Sequence, residues 1–166
     1  MAAGTLAYPH TLRCLRNDTF SDFRPGVAHW FEKTVLLGEQ LVRTYIVEDN
    51  PTIRENLIGT LEELAGVETV GFSETEKHGT EWLQNHGAQW DLAIVDLFLK
   101  QGSGMGVIEA CRKRDPNQKV VVLTNYATPD IRSRCHDLGV DAVFDKSNDI
   151  DALIDFCISL NGTGVN

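Results

Sequence analysis

An α/β domain built on a mostly parallel sheet is predicted by three observations. Five short apolar runs recur along the chain, amphipathic segments separate them, and the composition, 42% hydrophobic and 23% charged, is that of an ordinary soluble globular protein. The first run, Thr44–Val47, is apolar or β-branched at consecutive positions, the pattern of a strand buried on both faces. Ile53, Leu57, Leu61 and Leu64 then step by four, four and three along one helical face. Thr69–Phe72, Leu92–Val95 and Val120–Leu123 supply the next three strands and are read as buried in the same way. Thr128-Pro129-Asp130 is a helix start, with a capping hydroxyl, a proline at the first helical position and an acid near the positive end of the dipole. Ile131, Cys135 and Leu138 form the inward stripe of that helix, and Gly139 is its stop. Ala142–Phe144 is the fifth strand, read as buried like the others. A last helix from about Asp149 turns Ile150, Leu153, Ile154 and Cys157 inward.

The 166 residues suit one domain with a remainder, which we place at residues 1–42, an extension of undetermined structure, with a short tail at 161–166. The extension mixes Tyr8, Phe20, Phe23, Trp30 and Phe31 with Pro9, Pro25 and Gly26, and keeps no apolar period. A start placed too far upstream is one reading of it. It lacks the apolar core and the basic flank of a secretory signal, so the expected compartment is the cytoplasm. Residues 1–43 hold five basic and four acidic groups, which leaves −10 of the net −9 on the remainder. Such a domain repels phosphate backbones and anionic lipid. It is expected to meet proteins or a cation, with no direct DNA or membrane contact. Cys14, Cys111, Cys135 and Cys157 are scattered without metal-ligand spacing and read as reduced structural thiols.

In open α/β sheets, ligands bind beyond the carboxyl ends of the strands. Strand one here ends in Glu48-Asp49, strand three in Asp96, strand four in Thr124, and strand five in Asp145-Lys146. Two carboxylates about 5 Å apart repel by roughly 3 kcal/mol at an effective dielectric of about 20, so a cluster of this kind favours a cation. Hard oxygen ligands facing a phosphate select Mg²⁺. Asp96 is then the candidate nucleophile for a phosphoryl group, Lys146 the compact positive charge on a phosphate oxygen, and Thr124 a hydroxyl donor to another. Singly each residue is more often a cap, a strand residue or a solvated surface group; the joint pattern carries the reading.

Glu48-Asp49, Asp96, Thr124 and Lys146 together resemble the receiver domain of two-component response regulators, over about residues 43–160. The resemblance implies a flavodoxin-like (βα)₅ doubly wound sheet in the order 2-1-3-4-5 and a stand-alone single-domain receiver of bacterial signalling. It implies Asp96 as phosphoacceptor and Mg²⁺ held by Glu48, Asp49, Asp96 and the main-chain carbonyl of Phe98. A sensor histidine kinase or a histidine phosphotransfer protein is the implied donor. No separate substrate is turned over; the only chemistry implied is self-catalysed phosphotransfer and autodephosphorylation. Output implies a downstream protein target and a homodimer face on the fourth helix, fifth strand and fifth helix, including Ile131, Arg132, Cys135 and Ile154. The segment Leu97–Gly104 is similar to receiver acceptor loops that use Gly-Ser-Gly.

The sequence departs from that family where an aromatic residue usually precedes the lysine by three positions, here Val143, and where proline usually follows it, here Ser147. Phe98 and Tyr126 are bulky at positions that in the family flank the path of hydrolytic water. A receiver fold kept only as a non-phosphorylated protein-interaction module is the alternative. Gly102-Ser103-Gly104-Met105-Gly106 lacks the third glycine of a dinucleotide fingerprint, Val107 standing in its place, and its glycines read as turn residues.

Overall fold

The computed structural model describes residues 41–161, so most of the expected extension, Cys14 included, and residues 162–166 lie outside the described residues. Five parallel strands form one sheet: β1 Arg43–Val47, β2 Glu68–Ser73, β3 Leu92–Val95, β4 Lys119–Thr124 and β5 Ala142–Asp145. Their order, β2-β1-β3-β4-β5, is the doubly wound flavodoxin-like order. Helices α1 Pro51–Ala65, α2 Glu76–Asn85, α3 Gly104–Ala110, α4 Pro129–Asp137 and α5 Ile150–Asn161 connect and follow the strands.

Local chemistry sets the helix ends. Asn50 caps α1 by accepting the Thr52 and Ile53 amides, with Pro51 as the first helical residue. Thr75, Ser103 and Thr128 cap α2, α3 and α4 through their hydroxyls. Gly66 at φ 61° and Gly139 at φ 78° take the left-handed conformation that ends α1 and α4, which only glycine adopts without strain.

The two faces of the sheet are covered separately. Leu57, Leu61, Leu153 and Cys157 from α1 and α5 pack on Ile46, Ile94 and Leu123. Leu83, Val107, Ile108 and Cys135 from α2, α3 and α4 pack on Tyr45, Val95 and Val122. Strands β1, β3 and β4 are buried almost throughout. Both edge strands correct the expectation of full burial: in β2 Phe72 is exposed and only Ser73 is buried, and in β5 only Phe144 is buried. The α1 stripe also differs. Leu64 is 55% exposed, and the inward row runs Leu57, Leu61, Ala65, flanked by a buried Arg54. The buried row Arg54, Leu57, Leu61, Ala65 steps by three, four and four, so the inward face is rotated by one residue from the apolar letters at both of its ends.

Cys111, Cys135 and Cys157 are free and buried, and burial pushes the Cys111 and Cys157 thiols up to about 11 and about 12. Cys135 has no exposed area and therefore contributes nothing to an outward face of α4. No described helix is long and apolar enough to cross a membrane.

At the amino edge of the sheet, Arg43 forks onto Asp91, with Nε and Nη2 at 2.9 and 2.8 Å, and its amide also donates to Asp91 Oδ2 at 2.9 Å. Burial would raise the Asp91 carboxyl, but the Arg43 hydrogen bonds and charge hold it below the ordinary carboxylate value. A carboxyl depressed in the folded state contributes stability that is complete above its unfolded pKa and lost as pH falls through the folded one. Because the pair is about 40% exposed, the contribution is discounted for solvent screening. Asp91→Asn is expected to cost about 1 kcal/mol at neutral pH. In urea titrations the difference from wild type should shrink as pH drops below about 4.

Candidate functional site: an acidic pocket at the carboxyl edge

Strands β1, β3 and β5 end on the same rim, and the register brings their last side chains together. The Asp96 amide donates to the Val47 carbonyl at 2.9 Å, which sets the end of β3 beside the β1–α1 loop. Glu48 is buried at 2% exposure and Asp96 at 7%, while Asp49 is half-buried. Carboxylate oxygens of Glu48, Asp49 and Asp96 all lie within 4.8 Å of one another.

Lys146 bridges two of the three acids. Its Nζ donates to Glu48 Oε2 at 2.6 Å and to Asp96 Oδ2 at 2.7 Å, with the side chain only 9% exposed. Burial alone would lower the lysine pKa, but hydrogen bonds to Asp96 and Glu48 and their charges raise it above the ordinary value. The ammonium is therefore firmly protonated in this pocket at neutral pH. The Lys146 amide donates to the Thr124 carbonyl at 3.0 Å, tying the ends of β4 and β5 together. Thr124 is fully buried, and its Oγ1 receives the Tyr126 amide at 3.4 Å.

The loop after β3 faces the same pocket. Asp96 Oδ1 accepts the Phe98 amide at 3.3 Å, and Asp49 Oδ2 accepts the Lys100 amide at 2.9 Å with Lys100 Nζ at 3.6 Å. The exposed Phe98 and Tyr126 rings meet edge to face, centroids 5.0 Å apart, joining the loops that follow β3 and β4. Every predicted site residue thus stands at this rim. Phe144 packs on Phe156 in the opposite layer, with ring centroids 5.9 Å apart, so it does not take the place of an aromatic at Val143, which packs on the α4 side. The Lys146–Ser147 peptide is trans, and the turn beyond it is held by the Ser147 amide and the Asn148 amide group, both donating to Asp145 Oδ1.

The residues fit a Mg²⁺ ion. Among the described residues three carboxylates converge with one bridging ammonium, and Asp49 meets only the exposed Lys100 ammonium at 3.6 Å. All the available donors are hard oxygens. Sequence reasoning missed two groups that shape the pocket. Arg54, buried on α1, donates to the Glu48 carbonyl at 2.9 Å, pairs with Glu74 at 3.0 Å and lies 4.2 Å over the Phe72 ring. Lys100 sits 51 residues from the acid it contacts. Neither contact leaves a periodic signal, because each depends on chain segments meeting in space.

A flavodoxin-like sheet with an acid triad, a lysine and a hydroxyl on its carboxyl rim defines a class of signalling domains. The family profile of the response regulator receiver domain matches residues 44–157, and the chain belongs to that family. It is 28% identical over 106 residues to the response regulator protein VraR of Staphylococcus saprophyticus, covering 64% of this chain and 50% of that protein. It is 35% identical over 81 residues to the photosynthetic apparatus regulatory protein RegA of Rhodobacter capsulatus, covering 49% of this chain and 42% of that one. The chain therefore spans about half the length of these curated relatives. Two solved structures share the fold. The receiver domain of the response regulator NarL from Mycobacterium tuberculosis superposes with TM-score 0.65 at 19% identity, over 75% of this chain and 98% of that one. A CheY-like receiver from Methanospirillum hungatei gives 0.63 at 24%, over 74% and 95%.

Proposed function

We propose that this receiver accepts a phosphoryl group on Asp96 from a phosphohistidine of a sensor histidine kinase or histidine phosphotransfer protein. The observation that carries the reading is Lys146 Nζ bridging Glu48 and Asp96 with Asp49 alongside. An Asp96 carboxylate oxygen attacks phosphorus in line and the P–O bond forms. The P–N bond to the donor imidazole breaks and its electron pair returns to nitrogen, giving an acyl phosphate on Asp96. Lys146 offsets charge on the transferred group, and Thr124 donates its hydroxyl to a phosphoryl oxygen. Glu48, Asp49, Asp96 and the Phe98 carbonyl are the groups that would hold Mg²⁺, which supplies charge neutralisation between two anions.

The added charge beside Lys146 biases the loops around it and so the surface offered to a downstream protein. That surface is the face of α4, β5 and α5, where Ile131, Arg132 and Ile154 lie and where a homodimer would form. We place the work in the cytoplasm, without DNA or membrane contact, in keeping with the acidic charge of the domain. Acetyl phosphate is expected to add one phosphoryl mass to the chain when Mg²⁺ is present and none in EDTA, read by intact-protein mass spectrometry. Absence of label from both buffers would leave the interaction-module reading standing, and equal labelling in both would remove the Mg²⁺ requirement.

The Phe98–Tyr126 pair, on the loops after β3 and β4, shields the acyl phosphate from water in this reading. Phe98→Ala combined with Tyr126→Ala is expected to hasten loss of label about tenfold, or about 1.4 kcal/mol of barrier. An unchanged lifetime would remove this role.

A further inference from the structure

Glu76, the first residue of α2, has no part in the chemistry above, yet its carboxylate reaches into the loop that follows Asp96. Its Oε2 accepts the Ser103 amide at 2.7 Å across 27 residues of sequence. The Glu76 amide donates to the Gln101 carbonyl at 3.1 Å, and Thr75 and Gln101 form a parallel bridge. The loop is shaped to admit this side chain. A Cβ on Gly102 would stand 2.4 Å from Glu76 Cβ, and one on Gly106 would stand 2.0 Å from Glu76 Oε1. Two glycines that read as turn residues in the sequence are thus the walls of a cradle around one carboxylate.

Besides the Gly104 amide on the Leu97 carbonyl and the Phe98 amide on Asp96, the segment between Asp96 and Ser103 is held by two acids from other elements. Asp49 holds it at the Lys100 amide, and Glu76 holds it at Gln101 and Ser103. Without the Glu76 carboxylate the Ser103 amide loses its acceptor, and the turn between Lys100 and the start of α3 keeps only main-chain bonds and the Asp49 contact. We propose that Glu76 is a positioning residue for the acceptor loop. By fixing Ser103 with its carboxylate it steadies the loop that carries the Phe98 carbonyl and the Lys100 amide held by Asp49, and so sets the affinity of the pocket for Mg²⁺. This rests on reading the pocket as a Mg²⁺-dependent phosphoacceptor site.

The test uses the full chain and reads Mg²⁺ affinity by calorimetry, acetyl phosphate labelling against Mg²⁺ concentration, and thermal unfolding. Glu76→Ala is expected to weaken Mg²⁺ binding about tenfold, the usual scale for removing a group that supports a metal ligand. Half-maximal labelling should move to higher Mg²⁺ by the same factor, with the rate at saturating Mg²⁺ held within about twofold. Glu76→Gln keeps an acceptor for the Ser103 amide and should retain most of the affinity. Gly106→Ala should reproduce Glu76→Ala by displacing the carboxylate, and the double variant should be no worse than either single one, since the new methyl fills the space vacated. A lowered melting temperature with unchanged Mg²⁺ affinity would overturn the proposal, as would additive losses in the double variant. Should Glu76→Ala fail to fold, Glu76→Asp decides: it keeps the charge but withdraws it by one methylene, and wild-type affinity there would also overturn the proposal. Wild-type chain that binds Mg²⁺ but takes no label would sink the phosphoacceptor reading alone, because affinity is measured independently of labelling.

Discussion

Lys146→Met is expected to cut acetyl phosphate labelling by about two orders of magnitude, the scale of losing one preorganised charge partner from a water-poor site. The side chain is nearly the full length of the lysine but carries no charge. Glu48 and Asp96, each buried and each within 2.7 Å of the ammonium in the wild type, then face each other uncompensated. Removing one partner of a buried ionic group typically costs 3–5 kcal/mol, so the variant in EDTA should unfold at clearly lower urea, by about 3 kcal/mol or more. Mg²⁺ then has more to offset. It should stabilise the variant by a larger increment than the wild type, through binding linkage, because it takes over the neutralisation that Lys146 provides. The raised lysine pKa fixes the sign with pH. A cation favoured in the folded state contributes fully below its unfolded value and is lost as pH rises through the higher folded one, so the gap between wild type and variant should persist to about pH 10 and narrow above it.

Gly104→Ala is expected to be the most damaging single methyl in the domain. A Cβ there would stand 2.0 Å from the Asp96 carbonyl oxygen and 2.8 Å from Leu97 Cα. Both are backbone atoms at the end of β3, held by the Gly104 amide on the Leu97 carbonyl at 3.0 Å, so neither can turn aside as a flexible side chain would. Either the start of α3 moves away or the acceptor strand does. Overpacking of this kind costs at least about 3 kcal/mol here, the upper end of its usual range. Labelling should fall even in molecules that remain folded, because the displaced backbone belongs to Asp96. Urea unfolding combined with labelling of the folded fraction checks both effects. By contrast Gly59 and Gly87 have open space where a Cβ would lie and make suitable controls.

Much of this architecture can be read before any coordinate is known, and the reason is burial. Strands β1, β3 and β4 are covered on both faces, so their central letters are apolar or β-branched at consecutive positions, and runs such as Leu92–Val95 stand out. The strand-end acids are legible for the complementary reason: a carboxylate directly after such a run has few structural uses at three rims at once. Legibility fails where burial is partial or where a contact is made across the fold. Strand β2 lies at an edge, so its letters do not fix how deeply it sits. Leu64 is apolar yet exposed, while Arg54 is charged yet buried, because its guanidinium finds Glu74, Phe72 and the Glu48 carbonyl together. Lys100 and Glu76 act on residues 51 and 27 positions away, and no local period records such pairs. The glycines at 102 and 106 were visible, but not the carboxylate they enclose.

One oxygen of Asp96 is the atom proposed to receive the phosphoryl group. Wild type and Asp96→Asn, both folded and both supplied with Mg²⁺ and acetyl phosphate, should differ completely in intact-mass spectra: one added phosphoryl group on the wild type, none on the asparagine variant. An asparagine variant that takes label to the same extent as wild type would contradict that assignment.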